Sequence, residues 1–250
     1  MKRALLAVML ALGAGPLIFA DTAAAVLPWA NGLREAAAGA SPLAPDEALS
    51  RMAQDYASVL AAAGVLSHES PVDGTLLAQR YARGGGTEIF IAEILGAGPE
   101  LAQIEQAWEE SDTHRRAVID PRYTRLGAGE AAFGSQQVWV VVFARKVIED
   151  LFLEPVGRDL VIEGTMAHPA ASAPFLEDAG SLVTVAPREW RPDLQRFSYR
   201  IRGGATGGHW LLGFRSEDTG NPEITNSVTW PPAWGSQGDA ARSGAPSPPL

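Results

Sequence analysis

The chain has 250 residues, 46% of them hydrophobic and 20% charged, so it is long enough to bury a core and is not a disordered polypeptide. Acidic residues outnumber basic ones by 29 to 20, and the formal net charge of −9 excludes non-specific binding of nucleic acid. The sequence contains no cysteine, which excludes disulfides, thiolate metal sites and cysteine nucleophiles.

Residues 1–25 have the layout of a secretory signal peptide. Lys2 and Arg3 give a positive start, an uncharged apolar run follows, and small residues continue through Ala25. Two cleavage sites are predicted, after Ala20 or after Ala25. The apolar run is interrupted by glycine and proline, which favours a cleaved signal over a retained membrane anchor. The sequence therefore predicts a secreted or periplasmic protein without a stable membrane anchor.

The segment after the signal begins with helical patterns. The clearest helix opens at Pro45 and Asp46, and its apolar residues step by three and four until Gly64 ends it. Further helices are predicted at 26–43, 70–83 and 99–111.

Strand patterns dominate the later part of the chain. A strand or extended segment is predicted at 87–95, and 138–143 is apolar on both faces, as expected of a central strand. Helices followed by paired strands predict an α+β domain over 27–146. A small antiparallel β unit over 153–234 and a disordered tail over 235–250 are predicted after it. The strand-like pieces of that unit are 159–165, 181–186, 196–202 and 210–215.

Tryptophans are frequent in the predicted β unit. They would form either an exposed aromatic platform for a sugar or peptidoglycan, or the core of a small sandwich, and we favour the core. These tryptophans are Trp190, Trp210, Trp230 and Trp234.

The common catalytic motifs are missing from the sequence. A helical zinc pair would need a second histidine four residues after His68, where Val72 stands instead. No serine lies in a G-x-S-x-G turn, and the glycine-rich stretch 203–208 lacks the lysine of a phosphate-binding loop. No catalytic or nucleotide-binding residue is predicted.

A set of separated motifs, read together, resembles one known family. In order they are Ser67-His68, Ala92-Glu93-Ile94-Leu95, Trp108-x-x-Ser111-x-x-His114, Tyr123-Thr124-x-x-Gly127-x-Gly129 and Trp139-x-Val141-x-Phe143. Their order and spacing resemble the CAP superfamily of cysteine-rich secretory, antigen 5 and pathogenesis-related class 1 proteins. The bacterial, cysteine-free SCP-like extracellular branch is the more similar one, over residues 27–146.

The resemblance implies a three-layer α-β-α sandwich around an antiparallel sheet, and the small β unit predicted from the strand pattern is appended to it. It also implies a cavity in which His68, Glu93 and His114 hold a divalent cation such as zinc. Two imidazoles and one carboxylate would leave an open position on the ion. Either Glu93 binds the ion directly or it orients a histidine or a water. In an apolar strand the Glu93 carboxylate needs a partner in any case.

Two positions depart from the family pattern. Ser111 stands where many eukaryotic members have a second cavity glutamate, and Ile94 replaces the asparagine that usually follows the first. We therefore favour a binding module without turnover, acting on a cation, a small or lipid-like ligand, or a cell-envelope partner. The alternatives are a zinc-dependent, peptidase-like hydrolase with Glu93 as general base, and a structural protein with a vestigial cavity.

Overall fold

A computed structural model describes residues 19–37, 39–215 and 221–231, and the side chains of 22–37, 39–214 and 221–231. The predicted tail 235–250 and Trp234 lie outside this part, as does most of the predicted signal peptide. The described helices are α1 (Phe19–Ala36), α2 (Glu47–Ala63), α3 (Leu77–Arg83), α4 (Leu101–Glu110) and α5 (Asp112–Ile119).

The first sheet has four strands in the order β1-β3-β4-β2. They are β1 (Ala44–Pro45), β2 (Ile91–Gly98), β3 (Arg125–Phe133) and β4 (Gln136–Ala144). Strand β4 lies between β3 and β2 and is antiparallel to both. Every residue of 138–144 is buried, which confirms the central strand predicted from its apolar run.

Helices cover both faces of this sheet. Trp139, Val141 and Phe143 of β4 pack in one core with residues of α1, α4 and α5. The alternate residues Val138 and Val140 pack in a second core with α2. This alternation follows from the two-residue period of a strand. The predicted α-β-α sandwich is therefore confirmed.

Two glycines of the family motif allow α2 to approach the sheet closely. A Cβ atom at Gly127 would lie 2.3 Å from the Leu49 backbone carbon, and one at Gly129 would lie 2.2 Å from the Gln54 backbone nitrogen. No side chain fits at either position, because the helix backbone fills the space above β3.

The C-terminal part contains two further four-stranded sheets. One has the order β5-β6-β10-β9 and the other the order β12-β11-β7-β8. The strands are β5 (Ile148–Val156), β6 (Asp159–Met166), β7 (Phe175–Asp178), β8 (Thr184–Val185), β9 (Glu189–Arg191), β10 (Arg196–Ile201), β11 (Gly208–Arg215) and β12 (Pro222–Trp230). The two sheets share one hydrophobic core. Trp210 is 3% exposed within this core, and the partly buried Trp190 and Trp230 pack against the core.

The two parts of the chain join at a short extended segment, 87–89, immediately before β2. The Ile89 amide donates to the Thr225 carbonyl (3.0 Å), and the Ser227 amide donates to the Thr87 carbonyl (2.7 Å). An ion pair between Arg145 and Glu223 also links them. Strand β12 is thus hydrogen-bonded to the segment that precedes the strand carrying Glu93.

Among the described residues, no helix has both the length and the apolar character needed to cross a membrane. Helix α1 begins at Phe19, earlier than the predicted 26–43. Its residues Ala23 and Val26 are buried in the first core, so the core includes part of the predicted signal segment.

Candidate ligand and metal site

The candidate site is centred on the carboxylate of Glu93, whose side chain is only 2% exposed although β2 is an edge strand. Its Oε1 lies 2.9 Å from Nδ1 of His68, and its Oε2 accepts a hydrogen bond from Nη2 of Arg80 at 2.7 Å. His68 is 57% exposed at its side chain, whereas Arg80 is 11% exposed. The buried carboxylate therefore has two partners, and the imidazole lies at the surface above it.

The position of His68 follows from the way α2 ends. Gly64 adopts a left-handed conformation (φ 69°) and its amide donates to the carbonyls of Leu60 and Ala61, which ends the helix and turns the chain. The hydroxyl of Tyr56, on the buried face of α2, then donates to the Ser67 carbonyl at 2.7 Å. The residue before His68 is thereby tied to the helix.

The loop that follows His68 is closed by hydrogen bonds of its own. The Ser70 amide donates to the Thr75 carbonyl at 2.9 Å, and Asp73 accepts from both the amide and the hydroxyl of Thr75. Hydrogen bonds from Thr75 and Arg83 hold the pKa of Asp73 well below its usual value. The loop is therefore ordered on both sides of the histidine.

His114 comes to the site from α5, on another layer of the sandwich. The indole of Trp108, in α4, donates to the Leu95 carbonyl of β2 at 2.9 Å, which fixes the position of the neighbouring α5. Burial lowers the pKa of His114, and a charge on His68 lowers it further. A pKa below the usual value favours the neutral form of the His114 ring at neutral pH.

One ring nitrogen of His114 is left without a partner. Its Nδ1 is buried and forms no hydrogen bond with any residue that the structure describes. A buried, unpaired polar atom costs free energy, and a neutral imidazole nitrogen is a preferred ligand of zinc and similar ions. The ring therefore has the protonation state that a metal ligand needs.

The predicted set of three ligands fits a cation only in part. Both oxygens of Glu93 already have partners, and no group of three His, Asp or Glu side chains within the described residues is arranged to hold a metal ion. The carboxylate instead orients the ring of His68, which leaves Nε2 of that ring for a ligand. His68 and His114 remain as candidate ligands, and the role of all three residues as metal ligands stays a prediction.

The two departures from the family pattern have visible consequences. Ser111 lies between α4 and α5 and brings no carboxylate, and its neighbour Glu110 is exposed and accepts a hydrogen bond from Gln106 at 2.9 Å. Ile94 is buried in the first core, on the face of β2 away from Glu93. The other described histidines lie in the C-terminal part, where His168 is exposed and His209 contacts Ser227.

Sequence reasoning missed Arg80. The only signal for it was the need of a buried carboxylate for a partner, which did not say where in the chain that partner lies. Arg80 is in α3, and no spacing rule relates it to β2.

Comparison with known proteins assigns the first part of the chain. Residues 30–143 match the family model described as CAP, the cysteine-rich secretory protein family. This segment is a CAP domain. It covers the helices and the first sheet, and it contains all three predicted site residues.

Relatives of this CAP domain occur in bacteria. The protein YkwD of Bacillus subtilis, described as uncharacterized, is 26% identical over 108 residues, which cover 43% of this chain and 41% of YkwD. The chain therefore spans less than half the length of that relative.

Solved structures of bacterial proteins are also similar. An extracellular protein with an SCP domain from Bacillus anthracis is 23% identical, with a TM-score of 0.44, over 53% of this chain and 45% of that one. An outer surface protein of Borrelia burgdorferi is 25% identical, with a TM-score of 0.44, over 48% of this chain and 89% of that one.

Proposed function

We propose that this chain is an exported CAP-domain protein that binds a divalent cation through His68 and His114 and does not turn over a substrate. The observation that carries the proposal is the contact of His68 Nδ1 with the buried Glu93 carboxylate. Such a carboxylate–histidine pair is the usual arrangement behind a metal-ligating imidazole.

Each residue has a separate task in this proposal. Glu93 Oε1 accepts a hydrogen bond from the Nδ1–H group of His68, which fixes the tautomer and leaves the lone pair on Nε2. His114 stays neutral because burial lowers its pKa. A bound cation would supply positive charge and open coordination positions for an oxygen ligand, such as a small molecule, a lipid headgroup or an envelope component.

The occupancy of Glu93 argues against the hydrolase alternative. A general base must accept a proton from water, but both oxygens of Glu93 already accept from other groups, and one of those is the permanently charged Arg80.

Export is proposed from the sequence. Lys2, Arg3 and the apolar run after them have the order of a secretory signal. The similar Bacillus anthracis protein is called extracellular and the Borrelia burgdorferi protein an outer surface protein, which agrees with this proposal.

Zinc titration of the purified protein by calorimetry tests the binding proposal. At pH 7.5 we expect one zinc ion to bind, and His68→Ala and His114→Ala each to weaken binding by about tenfold or more. His168→Ala is the matched control, because this histidine is exposed and lies outside the CAP domain.

The result that would contradict the proposal is equal zinc binding by all four proteins, or none by any of them. If the zinc-loaded protein hydrolyses peptide or lipid substrates, and if His68→Ala and His114→Ala both lose this activity, the hydrolase alternative would be favoured instead.

A further inference from the structure

An apolar groove opens between the two C-terminal sheets, at the side where each sheet ends in a short strand. The edge strands there are β8 and β9, of two and three residues, and they belong to different sheets. Strands this short leave the core between the sheets partly uncovered. The opening has a volume of about 370 Å³, which is in the range of ligand-binding pockets.

Aromatic rings and prolines line this groove, and none of its lining residues is charged. They are Ser172, Ala173, Pro174, Phe175, Thr184, Val185, Ala186, Pro187, Trp190 and Tyr199. Tyr199 is fully buried and its hydroxyl donates to the Pro174 carbonyl, which fixes its ring. Trp190 is partly buried, and its indole Nε1 forms no hydrogen bond within the part of the chain that the structure describes. The groove therefore offers an apolar surface together with an available N–H donor.

This chemistry suits a proline-rich segment in the polyproline II conformation. Such a segment has no internal hydrogen bonds, so its carbonyls can accept from an indole N–H while its proline rings pack on aromatic side chains. Proline already restricts the backbone, so binding orders the segment at a low cost in conformational entropy. A charged peptide would lose solvation in this groove without gaining an ion pair.

The chain itself contains a segment of this kind after the last described residue. Residues 245–249 read Ala-Pro-Ser-Pro-Pro. The stretch 243–250 has no charged side chain, although the chain as a whole has a net charge of −9. The segment therefore matches the groove both in its apolar rings and in its lack of charge.

The connecting residues have the length needed to reach the groove. Trp230 and Phe175 pair with positions of β11 that are five residues apart. With two strand spacings added, they are separated by about 20 Å. Pro246 follows Pro231 by fifteen residues, and a Gly/Ser-rich chain of this length has a root-mean-square span of about 20 Å. The effective concentration of the segment at the groove is therefore of millimolar order.

We infer that residues 245–249 dock in this groove of their own chain. The proline rings lie against Trp190 and Phe175, and a carbonyl of the segment accepts from Trp190 Nε1. Docking covers the apolar surface between β8 and β9, so the groove can bind a proline-rich segment of another protein only after its own tail has left. This inference concerns the C-terminal sheets and is independent of the proposed function of the CAP domain.

NMR spectroscopy of the ¹⁵N-labelled full chain tests the docking. The indole resonance of Trp190, assigned by its absence from Trp190→Phe, reports on the groove. The tail variant carries Pro246→Ser, Pro248→Ser and Pro249→Ser, which remove the rings and retain the length and charge of the tail. We expect the Trp190 resonance to shift in this variant, and hydrogen exchange of its indole N–H to become about tenfold faster.

A synthetic peptide of residues 243–250 provides the second measurement. It should bind the tail variant about tenfold more tightly than the wild type, because the attached tail of the wild type competes with it. It should also return the Trp190 resonance of the tail variant to the wild-type position. Ala240→Ser combined with Ala241→Ser is the matched control in the same tail, and it should behave as the wild type in both measurements.

Four results would overturn the inference. The first two are an identical Trp190 resonance in the wild type and the tail variant, and equal affinity of these two proteins for the peptide. A wild-type resonance that moves to the tail-variant position on dilution would assign the groove to the tail of a second copy. Binding of a soluble peptidoglycan fragment, with no binding of the peptide, would assign the groove to a glycan.

Discussion

Arg34 shows how a single residue can hold the CAP domain together. It is 1% exposed near the end of α1, and its guanidinium donates to the carbonyls of Ser41, Val118, Asp120 and Tyr123 at 2.7–2.9 Å. These acceptors lie on the loop after α1, at the end of α5 and before β3. Burial lowers the pKa of Arg34 and the charge of Asp120 raises it, but an arginine keeps its proton in either case.

Replacement of Arg34 with methionine should be strongly destabilising. The aliphatic stem is retained, but four carbonyls lose their donor, so we expect the free energy of unfolding to fall by about 3–5 kcal/mol. Urea denaturation followed by circular dichroism measures this. Arg51→Met is the control, because Arg51 forms only an exposed helical ion pair with Glu47, and it should cost less than about 0.5 kcal/mol. Equal losses in the two variants would show that the buried hydrogen bonds of Arg34 are not stabilising.

At the scale of secondary structure, the elements predicted best are those whose signals are local. The end of α2 at Gly64 and the central strand β4 depend on a cap and on an apolar run, both visible in the sequence. Strand β2 begins at Ile91 and not at residue 87, because residues 87–89 pair with β12, which is distant in the chain. Strand β5 begins at Ile148, before the predicted start of the β unit at 153, because Glu149 and Asp150 conceal its alternation.

The residues of the candidate site also differ in whether a local sequence signal predicts them. The family motif marks His68, Glu93 and His114 in the sequence, because their spacing to other motif residues is regular. The sequence does not predict Arg80 as a site residue, because its role depends on where α3 packs against the loop and β2 in three dimensions.

The burial of α1 predicts which of the two signal cleavage sites is used. Thr22 and Ala23 are each at most 7% exposed, so a cut after Ala25 would remove two buried residues of α1, whereas a cut after Ala20 would keep both. We expect the exported protein to begin at Asp21, where an acidic residue also suits the positive end of a helix. Mass spectrometry of material secreted by a bacterial host checks this.

Two recombinant chains provide the control for that prediction. A chain that begins at Val26 should unfold about 2–4 °C below one that begins at Asp21, since it loses buried apolar contacts worth about 1 kcal/mol. A secreted protein that begins at Val26 and melts at the same temperature would contradict the assignment.

At the scale of the whole molecule, the C-terminal sheets are hydrogen-bonded to segment 87–89, which precedes the strand that carries Glu93. Asn226 of β12 is fully buried, and its Nδ2 donates to Thr87 Oγ1 at 2.9 Å, while its Oδ1 accepts from the hydroxyl of Thr225 at 2.8 Å. Because segment 87–89 leads directly into β2, a disturbance of this junction reaches the strand of Glu93. We therefore expect the CAP domain and the C-terminal sheets to unfold together.

Substitution of Asn226 with alanine tests this coupling. The substitution removes the 2.8 Å acceptor of the buried Thr225 hydroxyl, which keeps only a 3.4 Å contact with the Leu212 carbonyl, and the donor to the half-buried Thr87 hydroxyl. We therefore expect a single unfolding transition that is less stable by about 1–3 kcal/mol. Amide exchange should become faster at residues 87–89 and into β2. Thr229→Ala, at an exposed position of the same strand, should change neither measurement. Two separate transitions, with that of the CAP domain unchanged, would mean that the C-terminal sheets are an independent unit that does not support the site.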